Sequence, residues 1–289
     1  MERTDNWEKD FKIIIDIYTD CINRQRIEVY KILKNNINNL EEIRPLIDFI
    51  MSRLDAVYSL ILDWMLWDAE IVLRSALETL VKLIYILEGN SEEYLERCNE
   101  FWRVLPKLYS LKLSMQGKRN LEYLGESEIH RLAYTPLILP PAEEKQIKDK
   151  WPKSDRQKIE QRWSFSEIVL FLSRKYKGTS YEGILTLTHT YRIASHVIHG
   201  DETGILIIHE RDTRPNNECI VANRAHFLRF VSDLYLYSFA IANFMVKYLD
   251  KGTELDNSKT ILKDTKKLKN IIESYQKELF EDKVYDRFR

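Results

Sequence analysis

The chain has 289 residues, 44% hydrophobic and 31% charged, which is apolar enough to pack a core and excludes a disordered chain. Its 44 basic and 45 acidic residues leave a net charge of −1, so the whole molecule does not attract nucleic acid and any such binding must come from a local patch. With only 8 glycines and 7 prolines, the sequence lacks the turn residues of a sheet-rich fold, and helices are expected.

Asp5 or Asn6 can cap a first helix running to about Asn36, with Phe11, Ile14, Ile15, Tyr18, Ile22, Tyr30 and Leu33 near helical spacing. Pro45 stands near the start of a second helical stretch that reaches Leu87 with a break near Trp67. Gly89-Asn90 stops it, and Ser91 followed by Glu92-Glu93-Tyr94 starts a helix carrying Leu95, Cys98, Trp102 and Leu105, which bends or restarts at Pro106. From Gly117 to Pro152 the periodicity fades. Thr135-Pro136 and Pro140-Pro141 read there as a long irregular segment.

Helices resume at Ser154 and continue through Trp163, Phe165, Ile168 and Phe171 to about Gly178; Ser180 then caps a helix ending at Gly200. Gly204-Ile205-Leu206-Ile207-Ile208-His209 reads as a strand, Asp212 to Asn217 as a loop, and Val221 to Leu249 as a strong helix. The expected architecture is all-α: a multi-helix bundle with a long irregular crossover and at most a minor strand pair. One domain would span 1–252, with an irregular insertion at about 113–153, and a charged amphipathic helix would follow at 253–289.

Cys21, Cys98 and Cys219 are odd in number, widely spaced and free of any CxxC pattern, so they read as small apolar residues in a reducing compartment. The polar start Met1-Glu2-Arg3-Thr4-Asp5 does not resemble a signal peptide. The most apolar run, Ile71 to Leu87, is interrupted by Arg74, Glu78 and Lys82. A cytoplasmic protein with no membrane partner is expected.

The functional signal concentrates in Tyr191-Arg192-Ile193-Ala194-Ser195-His196-Val197-Ile198-His199-Gly200-Asp201. Seven residues at 3.6 per turn return almost to one azimuth, so Arg192 and His199 share a face with His189, Ser195 and His196. Ile193, Ala194, Val197 and Ile198 should face the core. An ordinary solvated face would carry Lys and Glu; this one carries groups suited to directional hydrogen bonding and proton transfer near neutral pH. Gly200 ends the helix and leaves His199 in its last turn, where the partial charge favours a cation. A histidine beside a fixed cation is the minimum set for cleaving a phosphodiester with an RNA 2′-hydroxyl, without a metal or cofactor. Two other readings stand beside it. In one, His199 caps the helix and Arg192 pairs with an acid from another helix. In the other, His189, His196 and His199 ligate a metal, with Asp201 as the only nearby carboxylate.

Arg192-x6-His199 resembles the Arg-x(4–6)-His signature of the HEPN superfamily (higher eukaryotes and prokaryotes nucleotide-binding). Tyr191, Ser195, His199 and Gly200 also resemble the Y-x3-S-x3-H-G helix end of a family of uncharacterised bacterial proteins. The upstream helix of that family is similar to Ala69-Glu70-Ile71-Val72-Leu73-Arg74-Ser75-Ala76-Leu77-Glu78. The resemblance implies a helical bundle whose two copies bring their Arg–His motifs into a shared cleft. Active members act as metal-independent ribonucleases of toxin or phage-defence type, and others are inactive scaffolds or neutralising partners. Carried over, His199 would be the general acid/base and Arg192 the phosphate-orienting cation. The chain departs from the pattern in having His196 at too short a spacing from Arg192, and in its long segment before Ser154.

Arg74 and Glu78 lie one turn apart on an otherwise apolar helix. They form either a solvent-facing ion pair continued by Lys82 or a pair projecting toward His199, with Glu78 fixing its tautomer or Arg74 binding phosphate. Between Lys145 and Lys177, the basic residues Lys148, Lys150, Lys153, Arg156, Lys158, Arg162, Arg174 and Lys175 are interspersed with Trp151 and Trp163. That pattern suits either a single-stranded RNA path or a solvated helix face, and Glu143, Glu144, Asp149, Asp155, Glu160 and Glu167 dilute it. The expected function is a homodimeric endoribonuclease acting on tRNA or other single-stranded RNA, under the control of a regulatory protein partner. The alternative is a non-catalytic helical module that binds or neutralises a partner.

Overall fold

The computed structural model describes residues 7–125, 127–179 and 181–249, together with 269, 270 and 273. The expected caps Asp5, Asn6 and Ser180 lie outside the described residues. So does the expected C-terminal helix at 253–289, apart from Lys269, Asn270 and Glu273.

Helix α1 (Trp7–Asn35) leads through the short α2 (Ile37–Leu40) and a 3-10 turn into α3 (Arg44–Leu62), where Pro45 occupies a first-turn position that needs no N–H. The break before α4 (Leu66–Leu87) falls at Asp63–Met65, three residues ahead of the expected Trp67. Trp64 there adopts φ 58°. A bulky residue in the left-handed region is strained, and the Trp64 ring offsets this by stacking on Phe11 and Phe227 at centroid distances of 6.2 and 5.5 Å. Asn90, rather than Ser91, caps α5 (Ser91–Asn99), accepting from the Glu92 and Glu93 N–H groups while the Glu93 carboxylate accepts from Asn90 N. A π-helical turn at Glu100–Val104 absorbs the irregularity expected at Pro106 and leads into α6 (Leu105–Leu124).

The expected irregular crossover is helical instead. It contains the rest of α6, α7 (Glu128–Tyr134) and α8 (Pro141–Lys150). Its periodicity is faint because these helices serve a small cluster of their own, Val104, Leu108, Leu111 and Ile147, which needs few apolar positions. Pro136 and Pro141, read as loop markers, sit at helix starts, the position where proline favours a helix. The run from Ser154 divides into α9 (Lys153–Arg162) and α10 (Phe165–Lys175), because the Ser164 hydroxyl accepts from Glu167 N and caps a new helix.

A 3-10 turn leads into α11 (Leu187–His199), which ends at Gly200 as expected. The expected strand at Gly204–His209 is helical, the middle of α12 (Glu202–Asp212). Its apolar run is half exposed, and the described residues contain no strand to pair with it. α13 (Asn216–Tyr248) closes the bundle.

The centre of the main core is α4, whose segment Leu80–Leu87 is buried on nearly every side. It packs against α3, α10, α11 and α13, while α1 covers α13. At its C-terminal end the buried Glu88 carboxylate binds Lys175 and Lys247, each at 2.8 Å, tying α4 to α10 and α13. Burial alone would raise this acid, but the two ammonium groups bring it below the usual carboxylate range. Among the described residues no helix is long and apolar enough to cross a membrane.

Candidate functional site

Helix α11 is held by one face. Ala194 is buried, Ile193 and Val197 are half-buried, and the Tyr191 ring stacks on Phe165 at 3.8 Å with an interplanar angle of 8°. Arg74 of α4 donates to Tyr191 Oη at 2.8 Å, its guanidinium 4.4 Å from the ring centroid. Helical geometry places Arg192 opposite Ala194, so anchoring that side turns Arg192, His196 and His199 toward solvent. Ile198, expected in the core, is 36% exposed because it lies at the edge of the anchored face.

The α11–α12 corner is built around Gly200, Asp201 and Gly204. Gly200 adopts φ 55° and ψ 32°, the left-handed conformation that turns the chain out of the helix. Asp201 then caps α12, one carboxylate oxygen accepting from Gly204 N at 3.0 Å and the other lying 2.8 Å from His196 Nδ1. A Cβ on Gly204 would lie 2.3 Å from the His196 carbonyl oxygen, so only glycine allows α12 to approach α11 this closely. The hydrogen bond from His196, then the Gly204 N–H and the neighbouring His199, hold the Asp201 carboxyl below its usual range. An ionised carboxylate only accepts hydrogen bonds, so Nδ1 of His196 carries the proton. In the neutral ring Nε2 is then left as the free base.

Arg192 is exposed and makes no hydrogen bond or ion pair among the described residues, so the expected pairing with an acid from another helix is not found. His199 occupies the last position of α11 and is exposed, as is His189 in the first turn. Ser195 lies on the same side but donates its hydroxyl proton to the Tyr191 carbonyl at 2.9 Å, a bond internal to the helix. Glu78 accepts from Lys82 at 2.8 Å, the local ion pair expected of a half-exposed helix face. Arg74 crosses to Tyr191 instead of pairing with Glu78, and the carboxylate that holds a histidine is Asp201. No three His, Cys, Asp or Glu side chains among the described residues group in a way that could hold a metal ion.

A second polar cluster escaped the sequence reading. Glu70 of α4, only 3% exposed, meets His226 and Arg229 of α13, and Arg229 continues to Asp233 at 2.9 Å. Arg211 of α12 approaches His226 Nδ1 at 2.6 Å while its guanidinium covers Trp67 at 4.7 Å. Burial is the main cause that lowers His226 to about 4, so the ring is neutral. Arginine can only donate, so Nδ1 accepts from Arg211, while Nε2 lies 3.3 Å from the Glu70 carboxylate and 3.1 Å from Arg229. Burial pushes Asp233 up to about 6 despite Arg229 beside it. The signal was the spacing His226-x2-Arg229-x3-Asp233, a polar stripe along a helix that is otherwise strongly apolar.

Residues 43–214 match the model for a family of unknown function (DUF5677), a span of more than half the chain. The chain belongs to this family. Its span takes in α4, the whole α11–α12 corner, Glu70 and Arg211, while His226, Arg229 and Asp233 lie beyond it. No curated protein and no solved structure matches the chain.

Proposed function

We propose that the chain is a HEPN-like, metal-independent endoribonuclease whose working groups are Arg192, His196 and His199. The observation carrying this reading is the exposed stripe on α11, where an unpaired guanidinium stands beside an imidazole already oriented by Asp201. Nε2 of neutral His196 takes the proton from an RNA 2′-hydroxyl, and the 2′-oxygen attacks phosphorus. The bond from phosphorus to the 5′-oxygen breaks, and His199 supplies the proton that the leaving oxygen needs. Arg192 offsets the negative charge that builds on the phosphate. Arg74 holds Tyr191 of α11, Ser195 bonds within that helix, Glu78 pairs with Lys82 on α4, and none of the three touches a reacting atom in this scheme.

A homodimer fits the same corner. Ile198, Ile205 and Leu206 are 36, 58 and 55% exposed on α11 and α12, an apolar border that a second copy would cover. A second reading, a non-catalytic module for a protein partner, draws on a separate apolar surface on α6 and α7. Tyr123, Ile129 and Leu132 there are 87, 76 and 72% exposed.

End-group analysis of cleaved RNA tests the chemistry. Products ending in 2′,3′-cyclic phosphate, with 5′-hydroxyl partners, are expected; 5′-phosphate ends would exclude 2′-hydroxyl attack. Expression of the wild type should also arrest growth while His199→Ala does not, whereas a binding module would treat the two alike.

A further inference from the structure

Away from the α11–α12 corner, α9 and α10 border an open groove of about 870 Å³. Lys158 and Arg162 are four residues apart on α9, and Phe171, Arg174 and Lys175 follow helical spacing on α10, so each helix turns one stripe into the groove. Tyr85 of α4 forms the floor. Its ring meets Phe171 edge-on at 5.4 Å and is backed by the Arg97 guanidinium at 4.2 Å.

The cations are not equivalent. Arg162 is committed to Glu100 and Lys175 to Glu88, so these two are structural. Lys158 reaches only Asp155, at 4.0 Å, and Arg174 has no partner among the described residues. Phe171 is 38% exposed, an aromatic ring on the same lining as those two available charges. Glu167, which hydrogen-bonds Gln161 at 3.3 Å, is the only acid among the described lining residues, against four cations.

We propose that this groove binds a single-stranded RNA segment, with a base stacked on Phe171 and flanking phosphates on Arg174 and Lys158. An aromatic platform on the same lining as cations matches a strand that alternates flat bases with charged phosphates, and it needs no base-specific contact. The choice of RNA over other strands rests on the ribonuclease reading, whereas the groove itself does not use the α11 histidines. Binding here would hold the substrate on the protein independently of cleavage.

The test is fluorescence anisotropy of a labelled 12-nucleotide RNA in EDTA, using the full chain carrying His199→Ala so that the RNA stays intact. Arg174→Glu with Lys158→Glu should weaken binding by at least tenfold and flatten its dependence on salt, since fewer counterions are released. Phe171→Ala should weaken it by about tenfold. All three positions are exposed or half-exposed, and far-UV circular dichroism should be unchanged. Absence of binding, equal binding by the variants, or AMP binding as tightly as the 12-mer would overturn the proposal. Absence of cleavage by the wild type, with groove-dependent binding retained, would sink the nuclease reading and leave the groove standing.

Discussion

The molecule contains two clusters built from the same residue types, and their surroundings give them opposite properties. At the α4–α13 interface, Glu70, His226, Arg229, Asp233 and Arg211 satisfy one another across three helices, and His226 is neutral because it is buried. At the α11–α12 corner, Arg192, His196 and His199 face solvent, and only His196 is tied down, by Asp201. Burial with complete pairing consumes the chemical capacity of polar groups, whereas exposure with one orienting bond preserves it. On this comparison the first cluster fixes how the helices pack, and the second keeps its polar groups free for the proposed chemistry.

The largest effect should come from breaking the buried cluster. Glu70→Ala leaves Arg229 and His226 facing an empty acceptor position and should cost about 3–5 kcal/mol in urea unfolding. A loss below about 1 kcal/mol would mean that the cluster is not the packing device described. A subtler probe is pH. Between about 4 and 6.5 the unfolded chain binds more protons at His226 than the folded one, so this residue makes stability rise with pH. Asp233, raised from 3.8 to about 6, does the reverse over nearly the same window, because the folded form there holds the extra proton. The two slopes oppose each other in the wild type. Asp233→Asn removes one of them, and stability should then climb by up to about 3 kcal/mol between pH 4 and 6.5. Parallel pH curves for variant and wild type would contradict this balance.

Perturbing the exposed corner should cost less stability and more activity. Gly204→Ala forces a Cβ against the His196 carbonyl and should cost about 1–3 kcal/mol, with cleavage falling further than the folded fraction. The smallest effect on stability belongs to Asp201→Asn. Asparagine still caps α12, but its amide can donate to His196 Nδ1 and so shift the ring proton to Nε2. Cleavage should collapse while the melting temperature barely moves, and nitrogen-15 NMR should report the tautomer change. Full activity in Asp201→Asn would remove His196 from the proposed chemistry.

How far the sequence reached differs between the same two regions. The end of α11 was readable because its determinants are local: Gly200 in the left-handed region and a seven-residue return from Arg192 to His199. Asp201 was noticed only as a nearby carboxylate, because its hold on His196 depends on how tightly Gly204 lets α12 turn back. The buried cluster was missed because Glu70 and His226 are 156 residues apart, and no local rule joins them. The segment Gly204–His209 was misread for a related reason. Its isoleucines suit a strand, but α11 and α13 offer it only helix neighbours, and Asp201 starts a helix there. The crossover was misjudged because weakly amphipathic helices carry little periodic signal, even though Pro136 and Pro141 marked their starts.

The division of labour between the two clusters is tested most directly by incubating purified protein with total RNA and tRNA in excess EDTA. The set should comprise wild type, Arg192→Ala, His196→Ala and His199→Ala, each checked for unchanged folding. Cleavage by the wild type that all three variants lose is the predicted result. Intact RNA with the wild type, or cleavage that survives all three substitutions, would contradict it.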